Sequence, residues 1–180
     1  MKRSYSFIEA IFIALIFSGS SCKKDKVSPS ELVTINNQTF GCRVNGVPFI
    51  ADKWDYSNNI PPIRIRFRYS NFSPPKLQVI AEKENAYIEI WLNSPFSTGT
   101  RELKFVTRSY PTHSNPLDYG LYQIISPGKE YITNDTLGGF VNILSVDTIN
   151  QKVEARFEFS GTERNTGGKA VITNGFFKSS

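Results

Sequence analysis

Apolar and polar residues alternate with a period of two through much of this chain beyond residue 38. In Ile63-Arg64-Ile65-Arg66-Phe67-Arg68-Tyr69 the apolar side chains fall on one face and three arginines on the other, the pattern of a half-buried strand. The alternation recurs on both sides of Glu84-Asn85. A tight turn there pairs Leu77 with Leu92, Val79 with Ile90 and Ala81 with Ile88, so every inner position of the hairpin is apolar in register. The same pairing sets Gln78 opposite Trp91, Ile80 opposite Glu89 and Glu82 opposite Tyr87 on the outer face.

A second antiparallel unit is predicted near the C-terminus. Val153, Ala155, Phe157 and Phe159 alternate with Lys152, Glu154, Arg156 and Glu158 after a turn at 148–151. The partner strand, 138–146, is apolar on both faces, with Phe140, Leu144 and Val146 on one and Val141 and Ile143 on the other, which predicts cover by another sheet. A final strand begins at Ala170 and bends at Asn174-Gly175 before Phe176 and Phe177. Pro61-Pro62, Pro74-Pro75 and the stretch 111–116 punctuate loops, and no segment after residue 37 has helical periodicity. Many short strands with Gly and Pro turns predict an all-β fold, an antiparallel β-sandwich first and a closed β-barrel as the alternative.

The N-terminus breaks this pattern. Lys2 and Arg3 precede an apolar run from Phe7 to Phe17, and Gly19-Ser20-Ser21 leads into Cys22. The run is roughly half the 20 or so apolar residues that a membrane-crossing helix needs, so it reads as a secretory signal over 1–21. Residues 22–37 are polar and contain Pro29, too little apolar surface to order themselves, and are expected to form a flexible tether. Residues 38–180 then form a single β domain. Removing the first 21 residues takes away Lys2, Arg3 and Glu9, so the net charge falls from +5 to +4. That mild excess and the absence of a basic-aromatic motif exclude nucleic acid as the expected partner.

The signal with its terminal cysteine resembles a bacterial lipoprotein signal, in which the peptide is cut before the cysteine and acyl chains are attached to it. Cys22-Lys23-Lys24-Asp25-Lys26 resembles the run that follows the lipidated cysteine in Bacteroidota lipoproteins. Phe40-Gly41-Cys42-Arg43-Val44-Asn45-Gly46-Val47-Pro48-Phe49 resembles the Val-Asn-Gly opening strand of small Bacteroidota lipoproteins, and Val153 to Phe159 with 166–177 resembles their C-terminal hairpin. The resemblance implies lipidation at Cys22, outer-membrane attachment on the periplasmic or surface side of the cell envelope, and a domain of unknown activity. It supplies no catalytic residue. With Cys22 acylated, Cys42 has no intramolecular partner and reads as a small buried hydrophobe. Asp135-Thr136-Leu137 and Asp147-Thr148-Ile149 resemble the acceptor tripeptide of Bacteroidota O-glycosylation, with Thr136 and Thr148 as candidate acceptors.

Chemistry is sparse. The sole histidine, His113, lies in the Pro-rich 110–116 stretch, and no His/Cys cluster or calcium loop accompanies it. Asp52-Lys53-Trp54-Asp55 reads as a turn. No nucleophile elbow, phosphate loop or dinucleotide fingerprint occurs, and Glu82, Glu84 and Glu89 read as charged outer positions of a hairpin rather than a glycosidase pair. We therefore expect no catalytic residue, no metal and no cofactor. A binding role has more support: Arg64, Arg66, Arg68, Tyr87, Glu89 and Trp91 share one outer face, where rings stack on sugars and guanidinium groups select acidic polymers. The expected function is a lipid-anchored, non-enzymatic envelope domain that binds a glycan or an envelope protein, with an accessory subunit of an envelope complex as the alternative and a glycoside-active enzyme as a remote third.

Overall fold

The computed structural model describes residues 28, 31–70, 73–104, 118–134, 136–163 and 165–180. Alternation is realised there as twelve strands: β1 (Val33–Ile35), β2 (Gln38–Val44), β3 (Val47–Phe49), β4 (Ile63–Ser70), β5 (Ser73–Lys83), β6 (Ala86–Asn93), β7 (Gly99–Leu103), β8 (Tyr119–Ile124), β9 (Lys129–Ile132), β10 (Gly139–Asp147), β11 (Lys152–Glu163) and β12 (Lys169–Ser179). Of the described residues 66% are strand and 1% helix, as the all-β reading requires. The signal segment and Cys22, together with His113 and its loop, lie outside the described residues.

All twelve strands belong to one antiparallel sheet, ordered β1-β2-β12-β11-β9-β8-β6-β5-β4. Strand β11 forks it: Lys152 to Phe159 pairs with β10, whereas Thr162 and Glu163 pair with β9. Strand β10 carries β7 on its other edge, and β3 pairs with β2. The sheet is nearly closed and barrel-like, so of the two architectures allowed by the pattern the single curled sheet is the one found. Its seam is bridged by a side chain. The Ile65 N–H on β4 donates to Gln38 Oε1 (2.7 Å), and Gln38 Nε2 donates to the Ile65 carbonyl (3.4 Å), so one amide at the start of β2 stands in for a strand's backbone.

The β5–β6 hairpin has the expected register throughout, from Leu77↔Leu92 to Glu82↔Tyr87. The expectation for 138–146 is corrected. Val141 and Ile143 face the core, but the ladder to β11 shifts between Ile143 and Ser145, so a bulge at Leu144 inverts the parity and Val146 turns back onto the core. The inserted residue therefore accounts for Val146 and leaves Leu144 exposed, whereas Phe140, before the bulge, lies half-buried on the outer face. Strand β12 does the same around Asn174, whose φ is +53°: Ala170 and Ile172 point inward before the bulge, and Gly175 and Phe177 after it. Gly175 is required here, because a Cβ would lie 2.5 Å from the Phe157 carbonyl oxygen and 2.6 Å from its ring.

The core is centred on Phe157, whose ring lies 5.6 Å from Phe40 and 6.0 Å from Phe177. Cys42 is fully buried on β2, and burial pushes its thiol pKa well above the usual range, with Glu31 nearby acting in the same direction. Tight turns at Asn36-Asn37 (φ +51° and +61°) and Asn45-Gly46 (φ +51° and +81°) fit the left-handed residues that two-residue hairpins need. The tether boundary is also corrected: order begins before residue 38. Val33 and Ile35 pack against the core from β1, and the buried Glu31 carboxylate takes hydrogen bonds from Arg43 on both oxygens. A short apolar strand and one ion pair hold a segment whose composition alone reads as polar linker.

Candidate functional site

Strand β4 pairs with β5, and β5 with β6, so the even-numbered residues of β4 and β5 share the outer face with the odd-numbered residues of β6. Arg64, Arg66 and Arg68 stand in a row on that face, spaced about 6.8 Å apart as alternate residues of an extended strand. Beside them runs a groove of about 580 Å³ lined by Gln38, Asn59, Ile60, Pro61, Ile63, Arg64, Ile65, Arg66, Arg68 and Ile80. One wall is β4 itself. The 59–61 segment contributes the other, held by the Asp55↔Ile60 bridge across an Asx turn in which Asp55 accepts from Ser57 N–H (3.1 Å) and Asn58 N–H (3.2 Å). Hydrogen bonds from Asn58 hold the Asp55 carboxyl below its ordinary pKa.

The three guanidinium groups differ in what satisfies them. Arg64 donates to Glu82 Oε1 at 2.6 Å and to the Pro61 carbonyl at 2.9 Å. Arg68 donates to Gln78 Oε1 and lies over the Trp91 ring, 5.8 Å from its centroid. Arg66 is exposed and has no hydrogen-bond or ion-pair partner among the described residues. Partial burial pulls its pKa down, and repulsion from Arg68 and then Arg64 adds to the effect, although a guanidinium stays charged throughout. Among the described residues the three arginines have one ion-paired carboxylate, Glu82 on Arg64, which leaves a local positive excess around Arg66.

The two rings expected to form an aromatic plate, Trp91 and Tyr87, lie outside the groove. Both are half-buried. Trp91 stacks on Tyr119 with ring centroids 6.3 Å apart, donates from Nε1 to Glu89 Oε1 (2.5 Å), and has Lys76 Nζ 5.7 Å from its centroid. It packs with Tyr87 against Tyr119, Leu121 and Ile132, a small apolar cluster separate from the main core. Tyr87 donates its hydroxyl to Gln123. Glu89 also accepts from Gln78 Nε2 (2.6 Å), so this carboxylate is fixed inside the network rather than presented outward. Burial lowers the Lys76 pKa, and Lys76 and Gln78 are only 7% and 4% exposed, which makes this half of the face a packed polar layer.

The remaining candidates are scattered. Glu84 is exposed at the β5–β6 turn, apart from the groove. Thr136 and Thr148 are both exposed, the first beside an Asx turn in which Asn134 accepts from the N–H groups of Thr136 (2.9 Å) and Leu137 (2.6 Å). Thr148 sits at the tip of the β10–β11 hairpin, where Asp147 accepts from the N–H groups of Ile149 and Asn150 at 3.0 Å. That loop repeats the Asp-x-x-Asn turn found at Asp55, with Gln151 (φ +54°) in the place of Asn59 (φ +54°). Among the described residues no group of three His, Cys, Asp or Glu side chains converges to hold a metal. The alternation located the arginines. It missed Gln38, Asn59, Ile60, Pro61 and Ile80, which join the groove through the seam and a loop. Comparisons with protein-family models, curated proteins and solved structures return no match.

Proposed function

We propose that this chain is a lipid-anchored, non-enzymatic domain of the cell envelope that binds an anionic ligand in the β4 groove. The observation that carries the reading is Arg66: an exposed guanidinium between two others, without a hydrogen-bond or ion-pair partner among the described residues, at the side of a groove large enough for a small ligand. Arg66 stands between two like charges with no counterion of its own among the described residues, which costs free energy in the unliganded protein, and an arriving anion relieves that cost. Such contacts favour carboxylate or phosphate groups that the guanidinium fork can grip with two hydrogen bonds. Anchoring rests on the signal segment and Cys22, and places the domain where extracytoplasmic polymers are accessible.

The test is retention on dextran sulfate compared with uncharged dextran. Arg66→Glu should lose retention, while Lys152→Glu, the same charge change at an exposed site on β11, should keep most of it. Equal losses from both variants would reduce the interaction to net charge and remove the groove from the account.

A further inference from the structure

We infer, as an extension of the anion-binding reading, that the ligand is an extended chain of acidic sugars whose successive carboxylates engage Arg64, Arg66 and Arg68. The resting structure already shows the chemistry at one end of the row, where the Glu82 carboxylate occupies Arg64 at 2.6 Å. Glu82 acts there as an internal stand-in for a ligand carboxylate. At the centre, Arg66 is ready without rearrangement. Arg68 completes the row, and the first and last arginine lie about 14 Å apart along the strand. A single small anion cannot span that distance.

Two features favour a sugar chain over an acidic peptide. An extended peptide docks on a sheet by extending its backbone ladder, but the outward N–H and C=O of Ile65 on this edge are both taken by the Gln38 side chain. The rest of the groove offers what a sugar ring uses: apolar surface from Ile60, Pro61 and Ile80, and the exposed side-chain amide of Asn59, which has no hydrogen-bond partner among the described residues. Rings present apolar C–H faces and hydroxyl groups, and their carboxylates reach the guanidinium row.

The experiment is a titration of the full-length chain at low salt with galacturonate oligomers of increasing length, with polyglutamate and with neutral dextran. Affinity should rise from the monomer up to the oligomer that spans the three arginines and then level off. It should fall at least about tenfold in Arg66→Gln, and weaken steeply toward about 0.5 M salt, where the screening length is only a few ångströms. Glu82→Gln should bind about three- to tenfold more tightly, because it removes the competing carboxylate from Arg64. Affinity independent of oligomer length, polyglutamate binding as tightly as galacturonate of equal charge, or no gain in Glu82→Gln would overturn the sugar-chain inference while leaving anion binding standing. Failure of every anionic probe at low salt would overturn both.

Discussion

Cys42 shows how one buried atom reports on the whole core. Desolvation raises its pKa above the 9.0 of a free thiol, and burial raises Tyr122, which is coupled to Tyr131 and Cys42, in the same direction. Below about pH 9 the thiol is protonated in both folded and unfolded chains and contributes no pH dependence. Above it the unfolded chain ionises while the folded one does not, so stability falls by up to about 1.4 kcal/mol per pH unit from this group. Denaturant melts between pH 7 and 10 should therefore show the stability advantage of the wild type over Cys42→Ala shrinking as pH rises. Parallel profiles would mean that the thiol is not held protonated by the core. At Arg66 the logic is reversed: exposure and the lack of a partner among the described residues make it the residue whose loss should harm binding and spare the fold.

At the scale of elements, the seam between β2 and β4 is the weak closure of the sheet. Gln38→Ala leaves the Ile65 N–H and C=O without a partner and should cost about 1–2 kcal/mol. Hydrogen exchange at the Ile65 amide should rise while Val79, inside the ladder between β4 and β6, stays protected; an unchanged Ile65 rate would show that the side chain is not the closure. The β5–β6 hairpin was legible because its alternation is unbroken and any one-residue slip would expose every inner side chain. The bulge at Leu144 was not legible, since an inserted residue looks the same in sequence as a change of face, whereas Asn174-Gly175 marked the break in β12 without showing that it inverts the parity. The arginine row could be read for the same reason as the hairpin. Its groove could not, because Asn59, Ile60 and Pro61 come from a loop with no periodicity, and Gln38 is one polar residue following a turn. Alternation assigned Trp91 to the outer face correctly but carried no information about Tyr119 and Lys76 covering it.

For the whole molecule, the anchor and the groove make separable claims. Cys22→Ala should leave the protein unprocessed or released from membranes, whereas Cys42→Ser should leave its location unchanged; membrane fractionation that finds the Cys22 variant processed and still anchored would refute lipidation. Charge is distributed in keeping with a local site rather than a general one: the chain without its first 21 residues carries only +4, while Arg64, Arg66 and Arg68 stand in a row beside the groove with Glu82 paired to Arg64. The central claim is that this face meets its ligand through Arg66 and not through the Trp91 ring. It is tested most directly by following the arginine Nε–H and tryptophan indole N–H signals in NMR spectra during a galacturonate oligomer titration. The account predicts that the Arg66 signal moves most, that Arg64 and Arg68 follow, and that the shifts vanish at high salt. Shifts confined to the Trp91 indole, with Arg66 unmoved, would contradict it.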